Sequence, residues 1–126
     1  MMRVKPMGEL ISVLSEEAEK VGKLESLAEE LVQDSTNLQR YRAVLEEKAR
    51  VLAGLAQRAR PITKKMPEED AAPLQHMLNK FSQSAATSLR IGSPFYMSAL
   101  LYPQDHQQGQ PNDLEIFIEQ LRQMQQ

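Results

Sequence analysis

The chain has 126 residues, 41% of them apolar and 25% charged, with a formal net charge of −2. That is enough for one domain, here 1–126, and the charge gives no electrostatic case for nucleic acid or an anionic membrane as partner. Cys and Trp are absent and aromatics make up only 5%, which excludes a disulfide framework and thiolate chemistry and argues for helices over sheets.

The opening stretch Met1 to Pro6 is basic, but Glu9, Glu16 and Glu17 follow before any long apolar run, so no signal peptide is expected. The longest apolar run, Phe95 to Tyr102, is far short of the roughly 20 residues a bilayer crossing needs. The expectation is a cytoplasmic protein without membrane insertion.

The first predicted helix spans about 8–34. Leu10, Leu14, Glu17, Val21, Leu24, Ala28 and Leu31 alternate four- and three-residue steps, which makes one seam with Glu17 as its single polar member. Ile11, Ala18 and Leu27 widen that seam to the breadth of a bundle helix. Asp34, Ser35, Thr36 and Asn37 then gather cap and turn formers, and Thr36 with Gln39 has capping-box spacing. A tight break at 34–37 is favoured; Leu38 stays in phase with Leu31, so a continuous helix is the other reading.

The second predicted helix, about 37–60, repeats the spacing with Leu38, Tyr41, Leu45, Lys48, Leu52, Leu55 and Ala59, and Pro61 is expected to end it. Its charge is the inverse of the first helix. Glu9, Glu16, Glu17, Glu19, Glu25, Glu29, Glu30 and Asp34 face Arg40, Arg42, Lys48, Arg50, Arg58, Arg60, Lys64 and Lys65. Rim pairs between them, about 0.3–1 kcal/mol each, favour antiparallel pairing without driving folding.

After a proline-bounded linker at 61–67, Pro67 followed by Glu68, Glu69 and Asp70 marks the start of a third helix, about 68–92. Its apolar row is Leu74, Met77, Leu78, Phe81, Ala85 and Leu89, and Pro73 is assigned to its first turn. Gly92, Ser93 and Pro94 interrupt the pattern. The apolar stretch 95–102 is either a kinked continuation or a short separate helix. A polar loop at 103–112 precedes a last amphipathic helix, about 113–124, for which Asn112 and Glu115 have capping-box spacing. The expected fold is all-α: an antiparallel hairpin plus a third long helix, as a three-helix bundle or coiled coil, with a short C-terminal helix.

Nothing in this order of residues forms a catalytic constellation. His76 and His106 are thirty positions apart and belong to no metal-ligand motif, so no metal, cofactor or catalytic residue is assigned. The paired acids Glu16–Glu17, Glu29–Glu30, Glu46–Glu47 and Glu68–Glu69 read as solvated helix faces. Gly8, Gly22, Gly54, Gly92 and Gly109 are scattered and form no phosphate loop, and the basic group Arg58, Arg60, Lys64 and Lys65 lacks the interleaved aromatics of a nucleic-acid groove. What remains is apolar surface: wide seams, a Met- and aromatic-rich stretch at 95–102 and a detachable amphipathic end. These are the ingredients of helix-in-groove recognition.

The segment from Leu38-Gln39-Arg40 through Glu46-Glu47-Lys48-Ala49-Arg50-Val51-Leu52-Ala53-Gly54-Leu55 resembles the FlgN-type flagellar export chaperones. It is similar to that family's turn followed by a leucine-rich helix with an E-E-K-x-x-L-L core, Val51-Leu52 standing at the paired apolar position. The Leu10–Leu31 helix is similar in length and place. The Gly92-Ser93-Pro94 interruption and the C-terminal amphipathic segment depart from the family pattern.

The resemblance implies a cytoplasmic chaperone that keeps hook–filament junction proteins unassembled and delivers them to the flagellar type III export apparatus. It further implies that the client's amphipathic C-terminal helix is held by the chaperone's C-terminal half. Carried onto this chain by apolar placement, the partner-binding surface is Phe81, Leu89, Phe95, Met97, Leu100 and Leu101. Leu114, Phe117 and Leu121 then cover it or order on binding, and the end beyond Pro94 is expected to be mobile. The alternative is a structural coiled-coil, oligomerisation or adaptor module that forms a homo-oligomer, a homodimer being one form, through the Leu10–Leu31 seam.

Overall fold

A computed structural model describes residues 4–125. Residues 1–3, the start of the basic opening stretch, and residue 126 lie outside the described residues. The elements are α1 (Val4–Val32), a 3-10 turn (Ser35–Asn37), α2 (Leu38–Ala53), α3 (Leu55–Thr63), α4 (Glu68–Ile91), α5 (Pro94–Ala99) and α6 (Asp113–Gln125), with no strand among the described residues. The chain is all-α.

The seam of α1 folds inward as its period requires. Leu10, Leu14, Val21, Ala28 and Leu31 are buried, and so is the polar member, Glu17, at 3% exposure. This seam is used by the chain's own helices and does not face outward as a zipper would need.

The partners of the acidic helix follow from charge. Glu9 pairs with Lys65 at 3.0 Å, Glu17 with Arg58 at 3.0 Å and Glu25 with Lys48 at 2.9 Å. Positions rise along α1 as they fall along α2 and α3, so the hairpin is antiparallel with its charges in register. Only the Glu9–Lys65 pair sits on the rim; Glu17 and Lys48 are buried, so these pairs specify geometry more than rim pairs do.

Helix α4 packs on α2 and α3, α6 packs on α1, and α5 sits against the middle of α2. Two apolar clusters result. The larger joins Leu10, Leu14, Leu52, Leu55, Leu74, Leu78, Leu114, Phe117 and Leu121 among others. The smaller lies at the hairpin end, where Met97 of α5 closes over Ala28, Leu31, Val44, Leu45 and Ala49.

The break at 34–37 is present, but Thr36 does not cap it. Asp34 does so instead, accepting from Thr36 N at 3.0 Å and from Thr36 Oγ1 at 2.7 Å. An aspartate before a turn offers two acceptor oxygens to the free amides, more than a threonine hydroxyl can.

The second helix differs from expectation at Gly54, where α2 gives way to α3. The Ser82 hydroxyl of α4 inserts there: it donates to Leu52 O at 2.9 Å and accepts from Ala56 N at 3.0 Å. A side chain has replaced one i to i−4 bond, a recognised cause of kinking. Gly54 also leaves room for Arg58, whose Nη1 would lie 2.9 Å from an added Cβ. The folded-back guanidinium donates to Val51 O at 3.1 Å and pairs with Glu17.

Pro61 does not end the helix as expected. The helix runs on to Thr63 because Ile62 and Thr63 are buried, while the proline ring faces solvent. Thr63 Oγ1 then donates to Gln75 Oε1 at 2.8 Å, and Gln75 Nε2 to Ala56 O at 3.2 Å, tying α3 to α4. Pro73 is likewise one turn deeper than expected, the sixth residue of α4 and exposed, so that its missing amide leaves only a surface carbonyl without its helical donor.

At the end of α4, Gly92 takes a left-handed φ of 72° and Ser93 caps α5, so 95–102 begins a separate short helix rather than a kinked extension. The stretch does not stay helical to 102; α5 ends at Ala99. The capping box of α6 forms as its spacing predicts, with Asn112 N donating to Glu115 Oε1 at 2.8 Å and Glu115 N to Asn112 Oδ1 at 2.9 Å. That helix is no detachable extension: Leu114, Phe117, Ile118 and Leu121 are buried in the larger core against α1.

Ser82→Ala leaves Leu52 O and Ala56 N without their shared partner. Chemical denaturation should show a loss of about 1–3 kcal/mol; a loss below about 0.5 kcal/mol would mean the kink does not depend on that hydroxyl.

Candidate functional site

Helix α4 has a second seam besides the buried one. Met77, Phe81, Ser84, Ser88 and Ile91 alternate steps of four and three and so share one face. This face forms one wall of a cleft. The other wall is Asp113, Ile116, Phe117 and Gln120 of α6, continued by Tyr96, Ala99, Leu100, Leu101 and Tyr102 at and after α5. Leu52 of α2 is the floor.

The cleft has two lobes, of about 600 and about 360 Å³, which share Ser84, Leu100, Leu101 and Asp113 and are therefore continuous. Along α4 the 14 steps from Met77 to Ile91 rise about 21 Å, the length of roughly four helical turns. Met77, Ile91, Tyr96 and Ile116 are exposed apolar residues on its rim, Ile91 at 56%. Ser84 and Ser88 at mid-length present little bulk, and Ser88 Oγ is already bonded to Ala85 O at 2.8 Å. Such a surface can bury an apolar stripe.

The far wall of the cleft is pinned from behind by charge. Lys48, 1% exposed, donates from Nζ to Ser98 O at 3.1 Å and pairs with Glu25 at 2.9 Å. Its ammonium lies 5.3 Å from the centre of the Tyr102 ring, and the Tyr102 hydroxyl donates to Glu25 Oε1 at 2.7 Å. The arrangement therefore ties α1, α2, α5 and the following loop together at the junction of the two apolar clusters. Burial holds the Lys48 ammonium below the usual lysine value despite the opposing charge of Glu25. Burial also pushes the Tyr102 phenol up to about 12, with Asn112 pulling the other way and the Glu25 carboxylate reinforcing the rise.

The nine residues assigned to partner binding from sequence divide on this geometry. Phe81, Leu100, Leu101 and Phe117 line the cleft, and the Phe81 and Phe117 rings meet at 5.9 Å. Met97, Leu114 and Leu121 are wholly buried in this protein's own core and present no surface to a partner, whereas Leu89 is half-buried against the smaller cluster and is not in the cleft lining. Phe95 is 74% exposed but stands outside the cleft, edge-on to Tyr96. Met77, Ser84, Ser88, Ile91, Tyr96 and Ile116 are among the cleft residues that sequence reasoning missed. The 4-3 spacing along α4 is a usable signal for four of them, Met77, Ser84, Ser88 and Ile91.

The two histidines are far apart in role. His76 is exposed on α4, and His106 packs on Tyr102 with ring centres 4.8 Å apart. Among the described residues no group of three or more His, Cys, Asp or Glu is placed to hold a metal ion, and no helix is long and apolar enough to cross a membrane. Of the basic group at 58–65, Arg58 and Lys65 are paired with Glu17 and Glu9. No family model, no curated protein and no solved structure matches the chain.

The Tyr102 phenol should titrate near pH 12 in an ultraviolet phenolate assay of the folded protein, a signal absent from Tyr102→Phe and shifted downward in Glu25→Gln. Because its folded value is raised, its contribution to stability is complete below pH 10 and is lost between 10 and about 12. Lys48 runs the other way: the penalty for its charge is full below its lowered value and gone by about pH 10.5. A tyrosine titration in which Glu25→Gln changes nothing would contradict the hydrogen bond.

Proposed function

We propose that this chain is a chaperone that holds an amphipathic helix of a client protein in the cleft between α4, α6 and the 96–102 segment. The observation that carries the reading is the α4 face Met77–Phe81–Ser84–Ser88–Ile91, apolar at both ends, small in the middle and facing an open cleft. Lys80 and Asp113 are the charged residues of its lining, so binding relies on apolar burial and shape, with little steering by charge.

The client class comes from the resemblance of 38–55 to FlgN-type chaperones. We assign it to the C-terminal helices of hook–filament junction proteins, which the chain would shield from premature assembly in the cytoplasm and carry to the flagellar export apparatus. Helix α4, α5 and α6 make up the C-terminal half, where the resemblance places client binding.

A synthetic peptide of such a C-terminal helix, titrated into the protein by calorimetry, is expected to saturate at one per chain. Ile91→Asp together with Ile116→Asp, both at exposed positions on the rim, should weaken it at least tenfold, about 1.4 kcal/mol, without changing the far-ultraviolet helical signal. Binding unaffected by the pair would place the helix elsewhere. No binding of the junction peptide, with binding of an unrelated amphipathic helix, would reject the flagellar client and keep the helix-holding activity.

A further inference from the structure

Residues 93–100 of the cleft wall are bounded at both ends by left-handed backbone. Gly92 has φ 72° and Leu101 has φ 77°, and Leu101 is the one non-glycine with positive φ among the described residues. For a branched, buried leucine this conformation is strained and persists only when its surroundings impose it. The surroundings are specific: Leu101 O accepts from Asp113 N at 3.0 Å, and its side chain is in the larger core.

The segment and its flanks are held to the α1–α2 hairpin by three directed contacts and by Met97, fully buried in the smaller cluster. Arg42 Nη2 donates to Gly92 O at 2.7 Å, Lys48 Nζ to Ser98 O at 3.1 Å, and Tyr102 OH to Glu25 Oε1 at 2.7 Å. Met97 is the one side chain of α5 that is buried. Internally the segment is one short unit: Met97 N donates to Ser93 O at 3.0 Å, Ser98 Oγ to Phe95 O at 2.8 Å and Tyr102 N to Ala99 O at 3.0 Å. A wall with charged pins behind it, a strained turn at one end and a glycine at the other has few ways to deform except as a unit.

Resting on the cleft reading above, we propose that residues 93–100 are a hinged wall that swings about Gly92 and Leu101 and is latched closed by the Glu25–Lys48–Tyr102 cluster, whose hold on the wall is the Lys48 bond to Ser98 O. Releasing the latch moves Tyr96, Ala99 and Leu100 together, changing the width of the cleft. A client that needs a wider cleft must break the latch, so the cluster sets how readily the cleft accepts a helix.

Hydrogen exchange on the full chain without client tests this. In Tyr102→Phe, which removes one hydroxyl and no apolar bulk, the amides of Met97, Leu100 and Tyr102 should exchange at least tenfold faster than in the wild type. Those of α2 and α4 should keep their rates. Glu25→Gln should act on the same amides. No acceleration in either variant, or acceleration spread evenly over α2 and α4, would overturn the hinge, since the segment would then open only with the whole molecule. The readout involves no client, so a negative result leaves the cleft assignment intact, and a failed peptide titration leaves the hinge intact.

Discussion

A lysine ammonium placed at 1% exposure between two helices is the constraint around which this molecule is arranged. Taking that charge out of water costs several kcal/mol unless its partners are placed well, and each of the partners comes from a different part of the chain. Glu25 arrives on α1, Ser98 offers a carbonyl from α5, and the Tyr102 ring comes from the loop that follows. The hairpin register, the position of α5 and the path of the chain past Leu101 must therefore be right together. Glu17 with Arg58 repeats the device one element further along, where it depends on the glycine at 54.

Apolar packing alone would leave more freedom. Leucines on two amphipathic helices can slide by a turn at modest expense, whereas a buried carboxylate and ammonium that miss each other are strongly destabilising. The charged pairs thus select one arrangement of an otherwise generic hairpin, and that arrangement leaves α4 and α6 apart with a cleft between them. The cleft follows from where the pins are: the 96–102 wall is fastened to the hairpin behind it, so it does not collapse onto α4.

Much of the fold was legible from periodicity and cap chemistry. The seam from Leu10 to Leu31 and the Asn112 and Glu115 box each have one dominant physical cause, and each is where its residues place it; the interruption at Gly92 was legible, but not whether the chain stops there or kinks. The kink at Gly54 was not legible, since the apolar spacing runs through it unbroken and its cause is a serine 28 positions later in the chain. Pro61 and Pro73 misled for a related reason: a proline ring facing solvent is tolerated when buried neighbours hold the helix together. Glu17 and Lys48 stood out as polar members of apolar seams, yet their true partners, Arg58 and Glu25, lie off those seams. For the candidate site, half-burial was the difficulty. Met97, Leu114 and Leu121 have the same composition and spacing as surface anchors, and only tertiary packing separates them from Met77, Ile91 and Ile116.

The claim on which the rest depends is that Glu25 and Lys48 act as one unit within the fold. A double-mutant cycle with Glu25→Gln and Lys48→Met, followed by chemical denaturation, measures this directly. The account predicts that the double variant loses less stability than the sum of the two single losses, by at least about 1.5 kcal/mol, because each single change strands the other group. Losses that add to within about 0.5 kcal/mol would mean that the two side chains are neighbours without being coupled, and would contradict it.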